Sequence, residues 1–186
     1  MSASGANGIG MWRAGLLAGL VTFASGALAQ SPTAAPRAAK LESGDGSVVL
    51  ESGTQSAPAK IGSLLQDGDG LRVGANSHVR LTVGDQAVIE AGPLTLLRIL
   101  SLGQDRTGIT NLRIEQGVVR LVWADPDGSG KRLAAVSFGK WAARVSSGEF
   151  IFEIGTQLSK VCGVAGEIVF AGTGYDAPPR LSGGCT

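Results

Sequence analysis

The sequence predicts an all-β fold: a single antiparallel sandwich or jelly-roll-like domain, or a short β-solenoid, with no substantial helix after its N-terminal segment. Three observations predict it. Short runs alternate apolar and polar residues at period two, as strands with one buried face do. Turn signals, mostly Gly or Asp-Gly, recur about every 8–12 residues. Glycine makes up 29 of 186 residues, about twice the ordinary usage of roughly 7%, because tight turns need the positive φ that glycine adopts cheaply. Hydrophobic residues are 44% of the chain, and aromatics only 5%. The expected core is therefore Val, Leu, Ile and Ala.

Ser47-Val48-Val49-Leu50-Glu51 follows Asp45-Gly46. Val79 to Val83 ends at Gly84-Asp85, and Ala87 to Glu90 ends at Gly92-Pro93. Leu94 to Leu100 is mostly apolar, and Leu112 to Glu115 ends at Gln116-Gly117. Val118 to Trp123 ends in Asp125-Pro126-Asp127-Gly128. Trp141 to Val145 and Phe150 to Ile154 alternate, while Val161 to Val164 and Glu167 to Phe170 flank Gly166. Alternation points Val79, Leu81 and Val83 inward, with Arg80 and Thr82 outward. By the same rule Val119, Leu121 and Trp123 share the buried face, as do Phe150, Phe152 and Ile154.

The N-terminus reads as a targeting signal. Arg13 precedes an apolar run, Ala14 to Ala29, that ends Ala27-Leu28-Ala29 before Gln30. A basic region, an apolar stretch and an A-x-A end make a secretory signal peptide over 1–29, cleaved between Ala29 and Gln30. The run is short of the roughly 20 residues a membrane span needs. The signal is complete from Met11 onward, so Met11 is a candidate true start. Residues 30–40, with Pro32 and Pro36, read as a flexible leader. The domain is expected over 41–175, and 176–186 reads as a glycine-rich tail. Export places the protein in the periplasm or outside the cell, with no membrane span after cleavage.

Gly62 to Leu71 (Gly-Ser-Leu-Leu-Gln-Asp-Gly-Asp-Gly-Leu) leads into Val73 to Val83, then Gln86 to Pro93. This succession of a Gly-Asp turn, an alternating strand and a strand closed by Gly-Pro resembles the FecR-type periplasmic domain. Leu112 to Val119 and Val145 to Phe152 are similar to later elements of that family, although Glu149 stands where the family usually carries Thr. The resemblance spans roughly Leu41 to Phe170. It implies an exported, free-standing binding or interaction module of the cell envelope, without the cytoplasmic, membrane and receptor-contact parts of the full regulators.

Candidate chemistry is sparse. Cys162 and Cys185 are the two cysteines, and an oxidising compartment favours a disulfide between them. It would tie the tail to the Val161 strand. With one histidine and two cysteines, no zinc site or histidine relay is expected. His78 reads as an exposed turn residue, since no G-x-S-x-G elbow accompanies it. Asp125-Pro126-Asp127-Gly128-Ser129-Gly130 has Ser129 and Val136 where a calcium loop carries a third oxygen ligand and its closing Glu, so it reads as a turn. Gln66 to Gly70 reads likewise. Glu149 and Glu153 share a strand face about 13 Å apart, beyond the reach of a glycosidase pair. Trp123 and Trp141 sit on alternating strands, which favours core packing over sugar stacking.

Setting aside Arg13 in the signal segment, 15 cations meet 15 acids. A nucleic-acid binder would need a basic patch, so none is expected as a partner. The expected function is a non-enzymatic envelope binding module, with no cofactor and no metal, whose partner is an envelope protein or a surface polymer. Two alternatives stand beside it: an enzyme acting on envelope glycans, and a β-barrel carrier of a small apolar ligand.

Overall fold

The computed structural model describes residues 37–103, 108–126, 128–130, 132–172 and 180–186. The signal segment, the Ala29–Gln30 cleavage position and the leader up to residue 36 lie outside the described residues, as does Asp127. The fold is all-β, with fourteen strands among the described residues joined in one hydrogen-bonded sheet. In chain order these are β1 (Ala39–Asp45), β2 (Val48–Ser52), β3 (Gln55–Pro58), β4 (Leu64–Leu65), β5 (Gly70–Val73), β6 (His78–Val83) and β7 (Ala87–Ala91). They continue with β8 (Leu96–Leu102), β9 (Ile109–Trp123), β10 (Leu133–Phe138), β11 (Trp141–Ile154), β12 (Ser159–Gly172), β13 (Arg180–Leu181) and β14 (Gly184–Cys185). Among the described residues no helix is long and apolar enough to cross a membrane.

The sheet branches at β9. Its first half lies between β8 and β10. Its second half lies between β7 and β11. Strand β11 divides the same way: Trp141 to Val145 pairs with β10, and Gly148 to Ile154 pairs with β9. Strand β12 follows β11 through both parts. One layer is therefore β3-β2-β5-β8-β9-β10-β11-β12-β13. The other is β4-β1-β6-β7-β9-β11-β12-β14. The layers share the long strands and enclose one core that takes residues from both, with Trp123, Phe150 and Phe152 among its largest fully buried side chains.

The long strands change layer where their inward face changes parity. In β9 the buried positions are Thr110, Leu112 and Ile114, then Val119, Leu121 and Trp123. Even gives way to odd around Gly117, whose φ is 101°. An added Cβ there would run into Thr95. In β11 the switch runs from Ala143 and Val145 to Phe150, Phe152 and Ile154 across Gly148, and β12 switches across Gly166. A one-residue slip moves every later side chain to the opposite face, so these bulges keep the apolar set inward as the strand bends.

Several sequence expectations change here. Gln116-Gly117 bends a continuing strand rather than ending one, and two further pairs of predicted strands fuse into β11 and β12. Alternation across a bulge looks like two strands with a turn between them. Strand β10 lies within a stretch read without a strand, and it pairs with β9 in parallel. The segment after Trp123 carries the chain back to the start of β9 instead of making a hairpin. Strand β1 begins at Ala39, inside the segment read as a flexible leader, and Ala39 is fully buried. The tail contributes β13 and β14, each paired with β12.

Candidate functional site

The outward positions of β1, β6, β7, β9 and β11 carry an ion-pair ladder. Arg80 faces Glu90 across β6 and β7, and Glu90 faces Arg120 across β7 and β9. Arg80 Nη1 lies 2.6 Å from Glu90 Oε1, and Arg120 Nη1 lies 2.7 Å from Glu90 Oε2. Arg120 Nε continues the ladder to Glu149 Oε1 at 2.9 Å. Hydrogen bonding from Arg120, followed by the charges of Arg120 and Arg80, holds the Glu90 carboxyl below its ordinary value of 4.5. Arg120 is raised further by its hydrogen bonds to Glu149 and Glu90. On β1, Glu42 is lowered by its bonds to Lys40 first and Thr82 second. Glu42, Glu90 and Glu149 are each engaged by a cation.

The residues singled out in the sequence fall around this frame without converging. His78 opens β6, and its Nδ1 lies 2.9 Å from Asp45 Oδ1, with both side chains mostly exposed. Glu149 is taken up by Arg120, while Glu153 stays exposed three rungs along β11 from Phe150. Trp123 is buried, and its Nε1 donates to the Arg132 carbonyl at 3.1 Å. Trp141 is half-buried, packed against the core, with Lys140 Nζ 5.6 Å from its ring centre. Asp125 Oδ2 accepts from the Gly130 amide at 2.6 Å, closing its own turn. Asp69 Oδ2 accepts from the Gln66 amide at 2.7 Å, and Asp67 Oδ1 from the Leu102 amide at 2.8 Å. Asp125 and Asp69 close their own turns, and Asp67 ties its turn to the end of β8. Among the described residues no group of three or more His, Cys, Asp or Glu side chains could hold a metal.

Cys162 and Cys185 are bonded, with Cα atoms 4.0 Å apart. They face each other in the β12–β14 register, on the same row as Arg80, Glu90, Arg120 and Ile151. The disulfide therefore fastens the last strand to one edge of this layer.

Two surface features were not read in the sequence. At one end, a groove of about 760 Å³ is lined by Pro93, Leu94, Val118, Ile154 and Leu158, among others. Leu94 is 56% exposed and Leu158 is 76% exposed. Leu94 is also the one non-glycine residue with positive φ, 56°, among the described residues. The second feature is a row of arginines on the opposite layer, at Arg72, Arg98, Arg113 and Arg144. No local motif marks either, since each is assembled from separate strands and turns.

No protein-family model matches the sequence, and comparison with curated protein sequences gives no match. Two crystal structures of a chain from Parabacteroides distasonis described as an anti-sigma factor share the fold, each with a TM-score of 0.50. Identity to this chain is 15% in one and 16% in the other, over 60% of this chain and 50% of theirs. At such identity the likeness is one of fold, and the match spans half the length of that protein.

Proposed function

We propose that this chain is an exported, non-enzymatic interaction module of the cell envelope, resembling the sensor domain of FecR-type regulators. The observation that carries the reading is the fold likeness to the Parabacteroides distasonis chain described as an anti-sigma factor, over 60% of this one. The Cys162–Cys185 disulfide supports it, being compatible with an oxidising, non-cytoplasmic compartment. The engaged carboxylates support it too, because general acid–base work needs a group within reach of substrate, and Glu90 and Glu149 are committed to Arg120. The interior in which a β-barrel carrier would hold a ligand is filled by Trp123, Phe150, Phe152 and their neighbours.

The test is in-cell cross-linking of the tagged chain, followed by purification and mass spectrometry of both the chain and what it holds. The reading expects a mature chain beginning near Gln30, recovered from the envelope or the medium and joined to an envelope regulator, receptor or polymer-export protein. A chain that keeps Met1 or Met11 and stays in the cytoplasm overturns it. So does turnover of envelope glycans or peptides by the purified protein.

A further inference from the structure

The two outer faces of the sheet differ in charge balance. On the β1-β6-β7-β9-β11-β12 layer, Lys40, Arg80, Arg120 and Lys160 stand outward against Glu42, Glu90, Glu149 and Glu153, with Asp45 beside His78 at one end. On the other layer Arg72, Arg98, Arg113 and Arg144 stand outward against Glu51, Glu115 and, on β12 two residues from the Val169 that faces Arg144, Glu167. Glu51 and Glu115 are drawn to Arg72 and Arg98. Glu51 Oε1 lies 2.7 Å from Arg72, Glu51 Oε2 lies 3.6 Å from Arg98, and Glu115 lies 3.8 Å from Arg98. Arg113 and Arg144 are exposed and have no ion-pair partner among the described residues.

The four arginines form one diagonal track. Arg72 is level with Leu96 of β8. Arg98, two residues on, lies directly opposite Arg113 of β9. Arg113 is level with Ser137 of β10 and so with Ala142 of β11. Arg144 lies two residues further, level with Ala135 and Asn111. The first and last steps move the same way along the strands, and the middle one runs straight across. With strands about 4.8 Å apart and about 3.3 Å per residue, successive Cα spacings are about 8, 5 and 12 Å. Between the last two arginines the register places Ser137, Ala142, Ala135 and Asn111, none of them charged. At the other end, Arg72, Val49, Leu96 and Gln116 line a groove of about 250 Å³.

Like charges placed directly opposite in an antiparallel pair are destabilising; Glu51 and Glu115 offset Arg98, which leaves Arg113 and Arg144 as the positions an anion from outside would engage. We propose that this face binds a linear carboxylated polysaccharide, whose repeated carboxylates the arginine forks engage along the diagonal. Charge complementarity selects an anionic chain over an apolar or cationic partner. The floor between Arg113 and Arg144 has no aromatic side chain on which a base or a sugar ring could stack, so recognition there rests on charge, and single-stranded nucleic acid is an outcome the test separates. The choice of an envelope polymer rests on the exported reading above. The binding chemistry does not, and it is tested on purified protein.

The probe is polygalacturonate, immobilised and titrated with the purified full chain. Neutral dextran, poly-glutamate and single-stranded DNA run as parallel arms. Binding to polygalacturonate that weakens as salt is raised and is absent on dextran is expected. The double variant Arg113→Ala/Arg144→Ala should lose at least about tenfold in affinity with an unchanged melting curve, whereas Lys160→Ala on the opposite layer should bind as wild type. Failure of the wild-type chain to bind polygalacturonate overturns the proposal, as does undiminished binding by the double variant. Binding to poly-glutamate or DNA as tight as to polygalacturonate overturns the glycan assignment. A cytoplasmic location in the fractionation experiment would defeat the exported reading while leaving these affinities as measured.

Discussion

Thr95 clasps Val118 by both of its backbone polar groups. The wholly buried hydroxyl donates to the Val118 carbonyl and stands within 3.2 Å of the Val118 amide as its acceptor. Gly117, immediately before it, is where β9 passes from one layer to the other. The loop ahead of β8 and the bend of β9 are thereby locked together.

Substitutions at this clasp should be costly. Gly117→Ala would place a Cβ against Thr95 at a φ of 101° and should destabilise by at least about 2 kcal/mol. Thr95→Val would leave the Val118 amide without its partner at a cost of about 1–3 kcal/mol. Gly53→Ala, at φ 58° with nothing within 4 Å of the added Cβ, should cost only about 1–2 kcal/mol. Urea unfolding of the three variants checks the ranking. A Gly117→Ala protein as stable as Gly53→Ala would refute the clasp.

The Cys162–Cys185 bond spans 23 residues of sequence. A closed loop of that size stabilises by about 3 kcal/mol in the chain-entropy model. Cys162→Ser, or reduction, should lower the melting temperature by about 6–12 °C in a domain of this size. Differential scanning calorimetry with and without reductant reads the shift, and limited proteolysis should find the segment after residue 180 newly accessible.

The ladder sets an acid limit. Glu90 is held below its ordinary value of 4.5 chiefly by hydrogen bonding from Arg120. A carboxylate depressed in the folded state contributes stability above its unfolded pKa, and that stability is lost as pH falls through the folded value. Stability should therefore be flat on this account above about pH 5 and decline below 4.5. The Glu90 side chain is 33% exposed, so salt should shrink the effect. Glu90→Gln should flatten the acid limb of a stability–pH curve, and an unaltered limb would assign that limb to other carboxylates.

His78 pairs with Asp45 at the surface, where both side chains are more than half exposed. His78→Ala should change stability by less than about 0.5 kcal/mol. It should also leave partner capture unchanged, with or without chelator. Loss of capture in either sample would point to a histidine- or metal-dependent site.

Period-two alternation was enough to place Val79, Leu81 and Val83, Val119, Leu121 and Trp123, and Phe150, Phe152 and Ile154 on the buried face, because strand side chains alternate regardless of what the strand pairs with. Residue type also marked Cys162 and Cys185, the chain's two cysteines. The sequence could not show that Gly117, Gly148 and Gly166 bend continuing strands. A glycine at positive φ serves a turn and a bulge equally well, and only the neighbours on either side distinguish them. It could not reveal β10 beside the start of β9, since parallel pairing joins residues separated by a crossover and leaves no local signal. Nor could it place Arg72, Arg98, Arg113 and Arg144 on one diagonal while Arg80 and Arg120 lie opposite, paired with Glu90. Alternation says only that each faces outward. Which outward face it shares, and with which charge, depends on registers set across strands far apart in the chain.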